Sequence, residues 1–143
     1  MSYVRTSGNK KRLIVIPIWT STNGWVPENA AYAEVHTMVR FMFDKSLYDH
    51  ISAIYLVGRI GASWETAEAT AYFRLYNRTG ASAFVTGIIN VTSAEGTMFK
   101  KGADCQAEFA DAEKEYTIDE YNTESGTEHG ILGRMDLWIV QSG

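Results

Sequence analysis

The sequence predicts an all-β chain, a two-sheet antiparallel β-sandwich of the jelly-roll kind with about eight strands. Three observations carry this expectation. Apolar and polar residues alternate along most segments, at the period of two that a sheet with one buried face requires. Turn signals separate these segments at short intervals, and no stretch holds the 3.6-residue spacing of a long helix. Aromatic residues are plentiful, with 8 Tyr, 6 Phe and 4 Trp among 143 residues, and such rings suit a half-buried pleated surface.

Residues 1–11 (MSYVRTSGNKK) mix Ser, Gly, Asn and basic side chains and carry too little apolar surface to fold alone. They are expected to form an N-terminal arm, leaving residues 12–143 as a single sandwich domain. The first strand covers 12–19 (RLIVIPIW), and Pro17, which cannot donate to a ladder, places it at an edge or at a bulge. A loop over 20–31 follows, marked by Asn23-Gly24 and Val26-Pro27, and it carries Trp25. Over 32–43, Val35, Thr37, Val39, Phe41 and Phe43 alternate with His36, Met38, Arg40 and Met42, which favours a strand over a helix. Residues 44–50 form a compact connection with room for one helical turn.

The best-defined stretch is 51–79. Ser52, Ile54, Leu56, Gly58 and Ile60 share one face of its first strand, and Ala71, Phe73 and Leu75 one face of its second, opposite Tyr72, Arg74 and Tyr76. A polar connection over 63–68 joins the two, and the second closes on the turn Asn77-Arg78-Thr79-Gly80. Residues 84–91 form another strand, in which Gly87 marks a bulge or a close approach. Weaker strands are expected at 97–101 and 105–109, with a short helix over 107–115 as the alternative to the latter. The chain then passes through 115–122, where Tyr121 lies one step out of phase with Tyr116 and Ile118, and a turn at Ser125-Gly126. It ends on a strand over 131–141, with Met135, Leu137 and Ile139 opposite Asp136, Trp138 and Val140.

Composition excludes several functions. Cys105 is the only cysteine, so neither an intrachain disulfide nor a cysteine-based zinc site can form. No run of apolar residues is long enough for a membrane-spanning helix, and the apolar segment 13–19 is too short for a signal peptide. The net charge of −4 conceals an asymmetry: Arg5, Lys10, Lys11 and Arg12 make the N-terminus basic, whereas acids dominate 104–128. That acidic body opposes nucleic-acid binding. The acids follow no calcium-loop pattern and read as a solvated face, so no metal or other cofactor is expected.

His36, His50 and His129 lack the spacing of a zinc-protease helix, and no G-x-S-x-G elbow occurs, so no catalytic residue is assigned. The candidate binding residues are instead the arm side chains Tyr3, Arg5, Lys10, Lys11 and Arg12, suited to an acidic protein surface. Trp25 and Trp64 join them in predicted loops, where indoles can anchor an interface or stack on a sugar.

The string ATAYFRLYNRTGASAFVTGIINVTS over 69–93, preceded by Phe43-Asp44 and Ser52-Ala53-Ile54-Tyr55 and closed by 135–141, resembles jelly-roll modules of tailed-phage virion structural proteins. Such modules occur in capsid decoration proteins, tail-associated proteins and fibres, and are similar to galactose-binding-type carbohydrate modules. The resemblance spans about 35–141, and the acidic stretch 104–121 departs from it. It implies a non-enzymatic virion protein, made in the host cytoplasm, that decorates a capsid as a homo-oligomer, preferably a trimer. Its partner would be the major capsid protein or another virion protein, with the arm lying across neighbouring subunits. The alternative is a carbohydrate-binding module that uses Trp25 and Trp64.

Overall fold

The computed structural model describes residues 11–20, 25–26, 31–35, 40–62, 68–123 and 130–142. The strands, in chain order, are β1 (Lys11–Thr20), β2 (Trp25–Val26), β3 (Ala33–Glu34), β4 (Phe41–Phe43), β5 (Ile51–Ala62) and β6 (Thr70–Asn77). They continue with β7 (Ser82–Ala83), β8 (Ile89–Thr92), β9 (Met98–Lys101), β10 (Lys114–Asn122) and β11 (Gly130–Ser142). All pairings are antiparallel. One sheet, here sheet A, runs β1-β11-β5-β9 with β2 beside β11. The other, sheet B, runs β3-β10-β6-β7, with β4 also on β10 and β8 also on β6.

Several short strands share one neighbour, which reduces this topology to a simpler pattern. β2 extends the β1 position along β11, β3 and β4 occupy one position beside β10, and β7 and β8 one position beside β6. Eight strand positions result, in the orders 1-8-3-6 and 2-7-4-5. Two such four-position sheets, linked by connections that nearly all cross from one to the other, are a jelly roll. The all-β sandwich expected from the sequence is therefore the observed fold.

The core lies between the sheets and is built from the alternating faces. From sheet A come Ile54, Leu56 and Ile60 of β5 and Met135, Leu137 and Ile139 of β11, all fully buried. From sheet B come Ala71, Phe73 and Leu75 of β6, Tyr116 and Ile118 of β10, and Ile89 and Val91 of β8. β5 and β6, adjacent in the chain, do not pair with each other but face one another across this core. Ile14, Ile16 and Ile18 bring β1 onto its margin. Pro17 stands on an edge strand and the register shifts between Pro17 and Trp19, so both expectations for it hold.

Other expectations need correction. The strand expected over 32–43 is two short strands, β3 and β4, with Val35 and Arg40 between them in neither, and residues 36–39 lie outside the described residues. The strand expected over 84–91 is broken, because Val85 and Thr86 donate their N–H groups to the Glu108 carboxylate (2.8 and 2.7 Å) instead of to a ladder. The weak strand over 105–109, and the helix weighed against it, are replaced by a single 3-10 turn, Gln106–Glu108. The one helical turn expected after Asp44 is present as the 3-10 turn Lys45–Leu47, capped by the Asp44 carboxylate on the Ser46 N–H at 2.9 Å.

One end of the sandwich is closed by aromatic rings. Phe109 meets Phe84, Phe43 and Tyr116 edge-on, with centroids 4.8, 5.0 and 5.0 Å away. The segment bearing Phe109 is held by a close approach: a Cβ on Gly102 would lie 2.5 Å from the Gly87 carbonyl oxygen, and Gly87 itself has φ +74. Cys105 packs beside this contact, fully buried, and its thiol donates to the Ile54 carbonyl at 3.3 Å. Burial pushes that thiol up to about 12, so it carries no thiolate at neutral pH. We expect Gly102→Ala to destabilise the fold by roughly 1–3 kcal/mol in urea melts, since backbone must move to admit the methyl group. An unchanged midpoint would show that the approach is loose.

Candidate functional site

A sandwich buries one face of each sheet and leaves two outer faces, and side chains that face outward are free to serve function. On sheet B the outward positions of β6 are Tyr72, Arg74 and Tyr76, and those of β10 are Glu115, Thr117, Asp119 and Tyr121. Registration sets Tyr121 opposite Tyr72, Asp119 opposite Arg74 and Thr117 opposite Tyr76. β3 adds Glu34 opposite Asp119. Tyr121, out of phase in the sequence, is thus in phase with the outer face.

These side chains form one connected network. The Tyr72 and Tyr121 rings stack 5.6 Å apart at 18°, and Tyr32 lies 5.6 Å from Tyr121 on the other side. The Arg74 guanidinium sits 3.7 Å above the Tyr32 ring and 3.8 Å from Asp119. Glu34 accepts a two-pronged contact from Arg40 at 2.7 and 3.0 Å and faces Arg78 at 3.8 Å. Arg40 also approaches Glu115 at 3.7 Å. Three arginines thus face three carboxylates, so the patch is nearly neutral and fitted to a partner by shape and hydrogen bonds more than by net charge.

Three atoms of this outer face have no hydrogen-bond partner among the described residues, Arg74 Nε, Thr117 Oγ1 and Asp119 Oδ1, although all are buried. A partner side chain or a bridging water could satisfy such a donor and acceptor. Several aromatic faces are already used: Tyr121 lies between Tyr72 and Tyr32, and Arg74 covers Tyr32. A sugar needs an open ring face, so this row suits a protein surface better.

The structure places the residues singled out in the sequence as follows. Lys11 and Arg12 open β1 and are exposed, so the first strand begins at Lys11. Trp25 is not in a loop: its backbone forms β2, paired with Ile131. Tyr3, Arg5, Lys10 and Trp64 lie outside the described residues, as do His36 and His129. No three His, Cys, Asp or Glu among the described residues are placed to hold a metal ion, and no described helix is long and apolar enough to cross a membrane. The acids of 104–128 are not one solvated face. Asp104 accepts from the Ile54 N–H at 2.9 Å, Glu108 fastens Val85 and Thr86, and Asp119 and Glu120 are buried in β10.

Asp119 is 5% exposed. Burial raises its carboxyl above the ordinary value, Arg74 and Arg78 oppose the rise, and the Glu34 charge adds to it. A carboxyl raised in the folded chain holds its proton more tightly there than when unfolded. Its stabilising contribution is therefore complete below the unfolded value near 3.8 and is lost as pH climbs through the folded value. Urea melts from about pH 3 to about pH 7 should show the native protein losing stability relative to Asp119→Asn as pH rises. Parallel curves would show that the arginines fully compensate the buried charge.

No protein-family model and no curated protein matches this sequence. Among solved structures, the fold is similar to a chain of infectious bursal disease virus, Gx strain, with a TM-score of 0.49 and 11% identity. That likeness covers 94% of this chain and 33% of the other. A chain of the Gt strain gives a TM-score of 0.44 at 11% identity, over 100% of this chain and 34% of the other. The protein thus spans about a third of the length of the viral chains it resembles.

Proposed function

We propose that this chain is a non-enzymatic virion structural protein that decorates and stabilises a capsid by binding its outer lattice. The observation that carries the reading is the strand order, 1-8-3-6 against 2-7-4-5, an architecture recurrent in viral capsid and lectin domains. This is an argument from fold, and the surface chemistry adds to it. Sheet B presents tyrosine and arginine side chains, residue types in which interface energy concentrates. The rigid sandwich supplies such surfaces to neighbouring subunits at no ordering cost.

In this reading the arm lies across neighbouring shell proteins, with Tyr3, Arg5 and Lys10 engaging acidic patches and Lys11 and Arg12, at the start of β1, extending that contact. Ordering the arm costs entropy, but repeated attachment on a lattice raises the net affinity of weak single contacts. A trimer seated on local three-fold positions is the preferred assembly.

The test is density-gradient banding of particles from the organism that encodes the chain, with the chain followed by immunodetection. Co-banding that survives a salt wash is expected, and deletion of residues 2–11 should weaken retention at least tenfold. A chain found only outside the particle fraction would overturn the reading. Since lectin domains share this architecture, tryptophan fluorescence titrated with simple and polymeric sugars is the accompanying control. We expect no saturable shift; one abolished by Trp25→Ala or Trp64→Ala would favour the carbohydrate module.

A further inference from the structure

The outer face of sheet A differs from that of sheet B in both charge and polarity. Its strands carry Leu13, Val15 and Pro17 on β1, Asp136, Trp138 and Val140 on β11, Ala53, Tyr55, Val57 and Arg59 on β5, and Phe99 and Lys101 on β9. Registration arranges them in cross-strand rows. Leu13 faces Val140, which faces Ala53; Val15 faces Trp138, which faces Tyr55. Pro17 faces Asp136, then Val57 and Lys101, and the last row sets Arg134, Arg59 and Phe99 side by side.

Two of these rows are apolar and open to solvent. Leu13 is 53% exposed and Val15 40%, with Trp138, Val140 and Tyr55 half-buried beside them, and Phe99 is 56% exposed at the opposite margin. The other rows are cationic. Lys101 lies 3.9 Å above the Tyr55 ring, and Arg59, Lys101 and Arg134 are exposed. Against them stands Asp136, 3% exposed, with Oδ2 held by Arg134 Nε at 2.8 Å. Lys11, in phase with Leu13 and Val15, and Arg12, on the opposite side of the strand, stand exposed where the edge strand begins.

The complement of this face is on the same molecule. Asp49, Asp104, Asp111 and Glu113 are all exposed in the connections at the end where β5 begins. Of these, Asp111 approaches Lys45 at 3.7 Å but keeps a side-chain exposure of 86%. One chain thus carries a cationic, aromatic face and, in the loops at one end, four exposed carboxylates with Lys45 and Lys114 among them. We infer that the outer face of sheet A docks a second copy of this chain through that copy's acidic loop end. The contact is heterologous, the kind that closes into a ring after a fixed number of copies or continues as an open array. It rests on the shell-protein reading, in which copies of the chain meet side by side.

The apolar rows argue for a protein occupant. A phosphate backbone would engage Arg59, Lys101 and Arg134 but leave Leu13, Val15 and Trp138 wet. Trp138, Tyr55 and the arginines are also the side chains that most often dominate protein interfaces. Four strands over seven residues span roughly 19 by 23 Å, which is small for a stable pair, so a single contact should be weak and reversible.

The test is sedimentation velocity on the full chain over a concentration series, at low and high salt. Wild type should self-associate in a concentration-dependent way and dissociate as salt rises. Two exposed double variants separate the surfaces: Arg59→Glu with Lys101→Glu on the face, and Asp111→Lys with Glu113→Lys on the acidic end. Each alone should weaken association at least tenfold, and an equimolar mixture of the two should restore it. Restoration also shows that both variants are folded. The inference is overturned if wild type stays monomeric at low salt, if either reversal leaves association unchanged, or if mixing restores nothing. A monomer that still bands with particles would sink this contact and leave the shell-protein reading standing. An association that follows the charge swap, in a chain absent from particles, would do the opposite.

Discussion

Everything in this fold depends on the packing of β5 and β11 against β6 and β10, four long strands whose inward residues fill the space between the sheets. Ile54, Leu56, Ile60, Leu132, Leu137 and Ile139 from one side meet Phe73, Leu75, Tyr116 and Ile118 from the other, all almost fully buried. A side chain of this size contributes about 1.5–3 kcal/mol on burial, so these positions carry most of the driving force. Of the short strands, β4 and β8 add Phe43, Ile89 and Val91 to this core, whereas β3 and β7 bury little of their own. The short strands hold their places because β10, β6 and β11 offer them a ladder edge.

This dependence explains which elements were legible in the sequence. β5, β6 and β11 have one buried face over eight or more residues, so alternation shows through and their boundaries come out nearly right. Pro17 announces its bulge because a residue without an N–H cannot sit in a continued ladder. The divided strands were hidden, since what divides them is tertiary. Glu108 captures the Val85 and Thr86 N–H groups from 23 and 22 residues away, and no local pattern encodes that bond. The position of the Phe109 segment is likewise set by Gly87 against Gly102, of which the sequence could suggest only that Gly87 meets something closely.

The acidic stretch shows a second limit. Spread-out carboxylates usually mean a solvated face, but in β10 alternation sends Glu120 and Asn122 inward, opposite Phe73 and Ala71, while Asp119 turns outward under Arg74. All three are buried, and Glu120 and Asn122 are each engaged by an interaction of their own. A buried carboxylate is tolerable only when charges or donors accompany it, and those come from other strands. The tyrosine patch was half visible for the same reason. Tyr72, Arg74 and Tyr76 share a face in the sequence, but Tyr121 and Tyr32 join them only through pairing. Trp25 and Trp64 stand out in the sequence as loop residues, whereas Trp138, on a strand, stands on the outer face of sheet A.

On the shell-protein reading proposed above, the two outer faces would divide the work of attachment. Sheet B balances its charges internally, so its fit to a partner depends on the placement of Arg74, Asp119 and the stacked tyrosines and should tolerate salt. Sheet A keeps an excess of positive charge beside open apolar rows, so a contact made there would be steered at long range and completed by burial. A molecule with one salt-tolerant face and one salt-sensitive face can hold to a scaffold through the first while neighbours adjust through the second. Weak single contacts are then an advantage: they let misplaced copies leave, and the closed lattice recovers the affinity through the number of contacts made at once.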